Sequence, residues 1–110
     1  MEKIEFEVQG SEAQPYNVVF TKNDHDISAH CSCRAGQVGL YCKHRIRIIM
    51  GEDEGVVSHN LQDIHAIREW YSGTDVEAAI KALRKAETHL EEAKSEVAKQ
   101  KKRLAIVLRK

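Results

Sequence analysis

Three cysteines and one histidine lie close together in this sequence, in the pattern C-x-C, eight residues, C-x-H. They are Cys31, Cys33, Cys42 and His44. Three thiolates and one imidazole fill the four positions of a tetrahedral zinc site, and this ligand set is common where zinc has a structural role. The residue types and their spacing therefore predict a metal centre with Zn²⁺ as its ion.

Two further histidines, His25 and His30, are rival ligands because they lie near the cysteines in the sequence. His30 directly precedes Cys31, so its side chain points to the opposite side if this segment is a strand. His25 falls among turn-forming residues, where a solvated side chain is the simpler interpretation. The spacing alone favours the C-x-C and C-x-H set over these two.

The same four residues bear on catalysis. A catalytic zinc keeps one coordination position open for water, whereas four protein ligands close the site. Ligation also occupies the groups that a Cys–His nucleophile pair or C-x-C redox chemistry needs. We therefore expect no catalytic residues and no enzymatic activity.

The cysteine content and the hydropathy of the sequence indicate the cellular compartment of the protein. An odd number of cysteines cannot all form disulfides within one chain, and their crowding beside a histidine fits metal binding in a reducing environment. The first residues are acidic and alternate with apolar ones, unlike an export signal. No apolar run approaches the length of a membrane span. These features predict an intracellular, cytoplasmic protein without a membrane partner.

The elements that must position the centre are three strands and a short helix. Apolar residues alternate over 4–8 and again over 16–20, which is the period of half-buried strands. A segment rich in turn formers then predicts that residues 27–31 return antiparallel as a third strand. The apolar period changes to that of a helix over residues 43–50, and the last two predicted ligands lie at its start.

Two further helices are predicted downstream. The first covers about residues 61–71, with Ser58 or Asn60 as its N-cap. Thr74 and Glu77 then have the spacing of a capping box. The helix that this box opens meets no proline or glycine before the end of the sequence.

Apolar residues recur every seven residues along this last helix, and the second row, three positions after each, is mostly alanine. The predicted dimer seam consists of Val76, Leu83, Leu90, Val97, Leu104 and Val107. Such a heptad repeat flanked by charged residues is typical of a coiled coil. We expect the first heptads to pack on the preceding helix as an αα-hairpin. The later heptads need a homodimer or a helical protein partner, bound through residues 76–108.

Together these patterns predict an α+β fold. It consists of a small antiparallel β-meander with a zinc-bound ββα unit, followed by an αα-hairpin whose second helix is a long coiled-coil arm. We expect two domains. Residues 1–58 contain the meander and the metal stretch 27–50, and residues 59–110 contain the helical hairpin.

The net charge is zero, which argues against a uniformly basic nucleic-acid binder. The basic residues nevertheless concentrate in residues 31–50, which contain no acidic residue, and in residues 93–110. The candidates for DNA or RNA phosphate contacts are Arg34, Lys43, Arg45, Arg47, Lys101, Lys102 and Arg103. Two simpler roles compete: cations offset the negative charge of a thiolate–zinc centre, and they complement the dipole near a helix C-terminus.

Residues 16–50 resemble the SWIM zinc finger, which is defined by C-x-C, a variable spacer and C-x-H on two strands and a helix. The matching segments are the strand Val18-Val19-Phe20, the pair Cys31-Ser-Cys33, and Gly39-Leu40-Tyr41 before Cys42-Lys-His44. The resemblance implies that the three cysteines and the histidine of this pattern, Cys31, Cys33, Cys42 and His44, bind zinc.

SWIM fingers occur in transposases, chromatin-remodelling ATPases, ubiquitin ligases and recombination accessory proteins, and they are credited with DNA binding or protein contacts. The resemblance therefore implies a non-enzymatic, nucleic-acid-binding accessory protein. The alternative is a protein-interaction adaptor that dimerises or recruits partners through its C-terminal helix. The sequence shows no ATPase, nuclease or ligase domain, so the activities of those host proteins are not expected here.

Overall fold

The computed structural model describes residues 1–109. Lys110, the last residue of the basic segment 93–110, lies outside the described residues. The strands are β1 (Glu2–Val8), β2 (Tyr16–Asn23) and β3 (Asp26–Cys31). The helices are α1 (Arg34–Gln37), α2 (Lys43–Ile49), α3 (Asp63–Tyr71) and α4 (Asp75–Leu108).

By its internal contacts the chain divides into two units. The first, Met1–Glu77, is called the head here, and residues 78–109 are called the arm. The elements confirm the predicted α+β class, with a three-stranded antiparallel sheet followed by helices. The predicted division into two domains, residues 1–58 and residues 59–110, stays a prediction.

The three strands form a meander in the order β1-β2-β3. Its register places Phe6 beside Val18, and Val18 beside Cys31. Because side chains alternate along a strand, these three lie on one face, and all three are buried. The alternation that predicted the strands thus also places the first cysteine on the buried face of the sheet.

Helices α2 and α3 cover this face of the sheet. Their buried residues are Ile48, Ile49, Ile64, Ile67 and Tyr71. The ring of Phe20 contacts Phe6 and Tyr71 edge to face, with centroids 6.0 Å and 6.3 Å apart. The core of the head is therefore an aromatic and aliphatic layer between the sheet and the two short helices.

The connector between α2 and α3 covers the outer edge of β1, and this corrects one prediction. Ser58 Oγ accepts a hydrogen bond from the Glu7 N–H at 3.1 Å, and Asn60 Nδ2 donates to the Glu5 carbonyl at 2.7 Å. The N-cap of α3 is Gln62, which makes no side-chain capping bond. Ser58 and Asn60 are therefore not caps, because their side chains hydrogen-bond instead to backbone groups of β1, which as an edge strand leaves such groups unpaired.

Helix α4 is continuous over 34 residues, which corresponds to about 51 Å. At its start Thr74 Oγ1 accepts a hydrogen bond from the Glu77 N–H at 3.4 Å, and the Glu77 carboxylate accepts one from the Gly73 N–H at 3.2 Å. Every residue from 85 to 109 is exposed. The long helix is confirmed, and its pairing as a coiled coil stays a prediction. Among the described residues, no helix is both long and apolar enough to cross a membrane.

Candidate metal centre

Three consecutive elements bring the four predicted ligands together. Cys31 is the last residue of β3, and Cys33 is the N-cap of α1. Cys42 is the N-cap of α2, and His44 lies in the first turn of that helix. The three cysteines are buried and His44 is half-buried. The end of one strand and the beginnings of two helices thus converge on one point.

The distances between the donor atoms fit a tetrahedral zinc ion. The Sγ atoms of Cys33 and Cys42 are 3.5 Å apart. His44 Nδ1 lies 3.7 Å from the Cys31 sulfur and 3.6 Å from the Cys42 sulfur. With Zn–S bonds of about 2.3 Å and Zn–N bonds of about 2.0 Å, tetrahedral geometry separates two sulfurs by about 3.8 Å and sulfur from nitrogen by about 3.5 Å. All four donor atoms lie within 4.8 Å of one another.

The loop that follows the first cysteine pair depends on Gly36. A Cβ atom on this residue would lie 2.5 Å from the carbonyl oxygen of Cys31 and 2.8 Å from its Cβ. The Gly36 N–H donates to the Cys33 sulfur at 3.3 Å. The short helix α1, where the sequence indicated only a glycine-containing loop, therefore packs its backbone directly against the end of β3. Gly39, with φ of 75°, then turns the chain back in the left-handed region.

His44 is held from its outer side by Tyr16. Their ring centroids are 5.0 Å apart, with the planes inclined by 42°. A Cβ atom on Gly10 would lie 2.5 Å from a carbon of the Tyr16 ring and 3.5 Å from His44 Nε2. Tyr16 thus fixes the orientation of the imidazole while Nδ1 faces the sulfurs. The sequence marked Tyr16 only as a strand residue, since nothing in its local pattern indicates a neighbour 28 positions away.

Burial and hydrogen bonding set the ionisation of the centre before metal enters it. Burial raises the pKa of the Cys31 thiol to about 12. Burial also acts to raise the pKa of Cys42, but hydrogen bonds from the Arg45 backbone and from the Cys33 side chain outweigh it, so this pKa lies below its ordinary value. Burial lowers the pKa of His44, which keeps its imidazole neutral and able to bind a metal.

The two rival histidines do not join this cluster. His30 pairs with Val19 in the β2–β3 ladder, is exposed, and lies on the face of the sheet opposite to Cys31. His25 lies in the tight turn between β2 and β3 and is also exposed. Within residues 1–109 the group that can hold a metal ion consists of the four predicted ligands.

Two of the predicted phosphate-binding arginines have partners within the head. The guanidinium of Arg45 donates to the carbonyl oxygen of Ala29 at 3.1 Å and to that of Leu40 at 2.8 Å. These bonds tie β3 to the loop that leads into the second ligand pair. Arg47 lies 3.9 Å from the carboxylate of Glu54. The sequence did not indicate these roles, because both depend on contacts between separate elements.

The other predicted contact residues are exposed. In the head these are Arg34 and Lys43, next to Cys33 and Cys42. In the arm they are Lys101, Lys102 and Arg103. Their contacts with nucleic acid stay a prediction.

The predicted seam is largely exposed. Within the arm, the exposed fraction of Leu90, Val97, Leu104 and Val107 lies between 52% and 58%. Leu83 is half-buried, and Val76, in the first turn of α4, is exposed.

The comparisons with known proteins agree with this geometry. Residues 6–50 match the family model of the SWIM zinc finger. The matched segment runs from the middle of β1 to the residue after α2, so it contains the whole sheet core and all four donors. No curated protein matched the chain, and no solved structure did. Residues 6–50 therefore resemble the SWIM zinc finger, and the four predicted ligands cluster there as a possible Cys₃His metal site.

Proposed function

We propose that this SWIM zinc finger is the zinc-stabilised head of a non-enzymatic adaptor protein, which self-associates through its C-terminal arm. The observation that carries the proposal is the seam of the arm. Leu90, Val97 and Leu104 recur every seven positions and are more than half exposed, on a helix of 34 residues. A repeat of this kind is typical of a helix that buries its seam against another helix.

The zinc centre supports a structural role for the metal. Its four donors all come from the protein, and the three thiols are buried. When bound, zinc supplies four strong bonds that join the end of β3 to the starts of α1 and α2. A structural zinc ion contributes on the order of 10 kcal/mol to folding, which matters for a head with so small a core. The three free cysteines also support an intracellular, reducing location.

The exposed apolar side chains of the arm favour self-association energetically. Burying one leucine or valine side chain contributes about 1.5–3 kcal/mol. Leu90, Val97 and Leu104 lie one heptad apart on the same face, so a second helix covers all three together. We expect this gain to exceed the entropic cost of association once several heptads engage.

Sedimentation equilibrium of the full zinc-loaded chain tests the proposal. We expect a concentration-dependent dimer. Val97→Glu places a charge in the seam and should shift the protein to monomer. Ser95→Glu is the matched control, because it adds the same charge at an exposed position outside the seam and should leave the dimer intact. A wild-type protein that stays monomeric at all concentrations would overturn the proposal.

Nucleic-acid binding is a second candidate, and the run of Lys101, Lys102 and Arg103 favours it, since three adjacent exposed cations exceed what the helix dipole requires. The internal bonds of Arg45 and the ion pair of Arg47 weigh against a binding face on α2. Titration with duplex DNA and with RNA across a salt series tests this candidate. We expect binding at low salt that falls steeply as salt rises. Absence of binding at low salt would reject it.

A further inference from the structure

The seam of α4 consists of two rows of different size. One row contains the large residues Val76, Leu83, Leu90, Val97 and Leu104. The other row, three positions further along, contains Ala79, Ala86, Ala93, Gln100 and Val107. Along the arm both rows are exposed from residue 86 onward. Any partner helix must fill a surface in which bulky and small side chains alternate.

A parallel copy of the same helix fits this surface poorly. In a parallel pair each row faces itself, so Leu90 would meet Leu90 of the second copy and Ala93 would meet Ala93. Wide and narrow layers would then alternate along the helix axis. Since well-packed interfaces combine large with small residues across each layer, a parallel pair leaves gaps beside the alanines.

An antiparallel copy fits better, because the large row of one helix faces the small row of the other. When Leu90 faces Ala93 of the second copy, the two-fold axis divides the seam into two sets of five layers. In each set, four layers combine a large residue with a smaller one. The outermost layer pairs Val76 with Val107. The interaxial distance is then nearly constant over the length of the seam. The complementary rows lie on the same helix, so a second copy of this chain is the partner that fits.

The charge distribution supports the same orientation. Residues 75–92 contain five acidic and three basic residues, whereas residues 93–109 contain one acidic and six basic residues. An antiparallel pair places the acidic half of each helix beside the basic half of the other. It also opposes the two helix dipoles, which is favourable.

The residues that flank the seam select one register. When Leu90 faces Ala93, Glu87 lies opposite Lys94 of the second copy, and His89 lies opposite Glu96. The two-fold axis produces each pair twice, and no two like charges face each other. A shift of one heptad in one direction opposes Lys94 to Lys94 and Glu96 to Glu96, and a shift in the other opposes Glu87 to Glu87. Such like-charge pairs are unfavourable.

From these observations we infer that α4 forms an antiparallel homodimer in which Leu90 of each chain packs against Ala93 of the other. This inference rests on the proposed self-association and adds its partner, its direction and its register. The interface contains ten seam layers between residues 76 and 107. The ion pair between Glu87 and Lys94 of the second copy fixes the register.

A charge-swap series on the full zinc-loaded chain tests this inference, with the dimer dissociation constant measured by sedimentation equilibrium. Glu87→Lys alone and Lys94→Glu alone each replace two attractive pairs by two repulsive ones. Each should weaken the dimer about tenfold. The double variant E87K/K94E restores opposite charges and should return the dissociation constant to within about twofold of the wild type.

Lys101 provides the discriminating control. In a parallel coiled coil it pairs with Glu96 of the second copy, whereas in the inferred register it faces no acidic residue. Lys101→Glu should therefore leave the dimer unchanged.

Two outcomes overturn the inference in different ways. A dimer that is weakened by K101E and rescued by E96K/K101E, but is insensitive to E87K and K94E, would establish a parallel arrangement and leave the proposed self-association intact. A monomeric wild type would overturn both.

Discussion

Gly36 lies so close to Cys31 that a Cβ atom on the glycine would be 2.5 Å from the cysteine's carbonyl oxygen. This approach lets α1 begin immediately after the first ligand pair and lets the Gly36 N–H reach the Cys33 sulfur. The second ligand pair returns to the same point only because the intervening loop is this compact. The geometry of the candidate metal centre thus depends on a residue that is not one of the four predicted ligands.

Gly36→Ala should therefore destabilise the zinc-loaded head by about 1–3 kcal/mol, the usual cost of inserting an atom into a closely packed site. The measurement is the thermal unfolding midpoint together with zinc affinity in a competition assay. Val38→Ala is the matched control, since this side chain is exposed in the same loop. A Gly36 variant with unchanged stability and affinity would contradict the tight packing of α1 on β3.

Arg45→Met should also destabilise the head, because it removes two hydrogen bonds from a charged donor to the carbonyl groups of Ala29 and Leu40. Such bonds contribute about 1.5–3 kcal/mol each when buried, and Arg45 is partly exposed, so we expect a combined loss of about 2 kcal/mol. Chemical denaturation of the zinc-loaded protein measures this change.

Arg34→Met is the control for that experiment, because it removes the same charge from an exposed side chain next to Cys33. Its free energy of unfolding should stay near that of the wild type. Equal destabilisation by both substitutions would indicate that charge near the thiolates matters, and that the hydrogen bonds of Arg45 do not.

Much of this fold follows from local patterns in the sequence. Apolar residues that alternate around Phe6 and around Val18 predicted two strands. The C-x-C and C-x-H spacing predicted the four donors. The predicted helix over residues 43–50 ends one residue earlier, at Ile49. Each of these features is determined by residues close together in the chain, so the sequence alone was sufficient.

Contacts between distant segments could not be predicted in this way. The N-cap role expected for Ser58 and Asn60 was wrong because β1, more than 50 positions away, offers their side chains other partners. The position of Tyr16 on His44 and the bonds of Arg45 depend on how elements pack. No local period in the sequence encodes such contacts.

Tyr16→Ala should weaken zinc binding by removing the ring that orients His44. Residues that support a metal ligand typically change metal affinity by about 10-fold to 100-fold when mutated, and we expect the lower end because the contact is a ring packing rather than a hydrogen bond. Tyr16→Phe keeps the ring and should retain the affinity. Equal loss of affinity in both variants would indicate that the hydroxyl group, and not the ring, supports the centre.

Removal of zinc should separate the responses of head and arm. With a strong chelator, we expect residues 27–50 to lose amide protection, because zinc, when bound, joins the end of β3 to the starts of α1 and α2. The helix signal of the arm should decrease less, since its backbone bonds are internal and the proposed pairing of its seam involves no zinc ligand. Hydrogen exchange followed by mass spectrometry measures both regions, and added zinc should restore protection.

Zinc K-edge X-ray absorption of the loaded protein measures whether three sulfurs and one nitrogen close the metal centre. We expect one zinc per chain, with three sulfur atoms at about 2.3 Å and one nitrogen at about 2.0 Å. A spectrum that requires fewer sulfurs and an added oxygen donor, or a protein that binds no zinc, would contradict it.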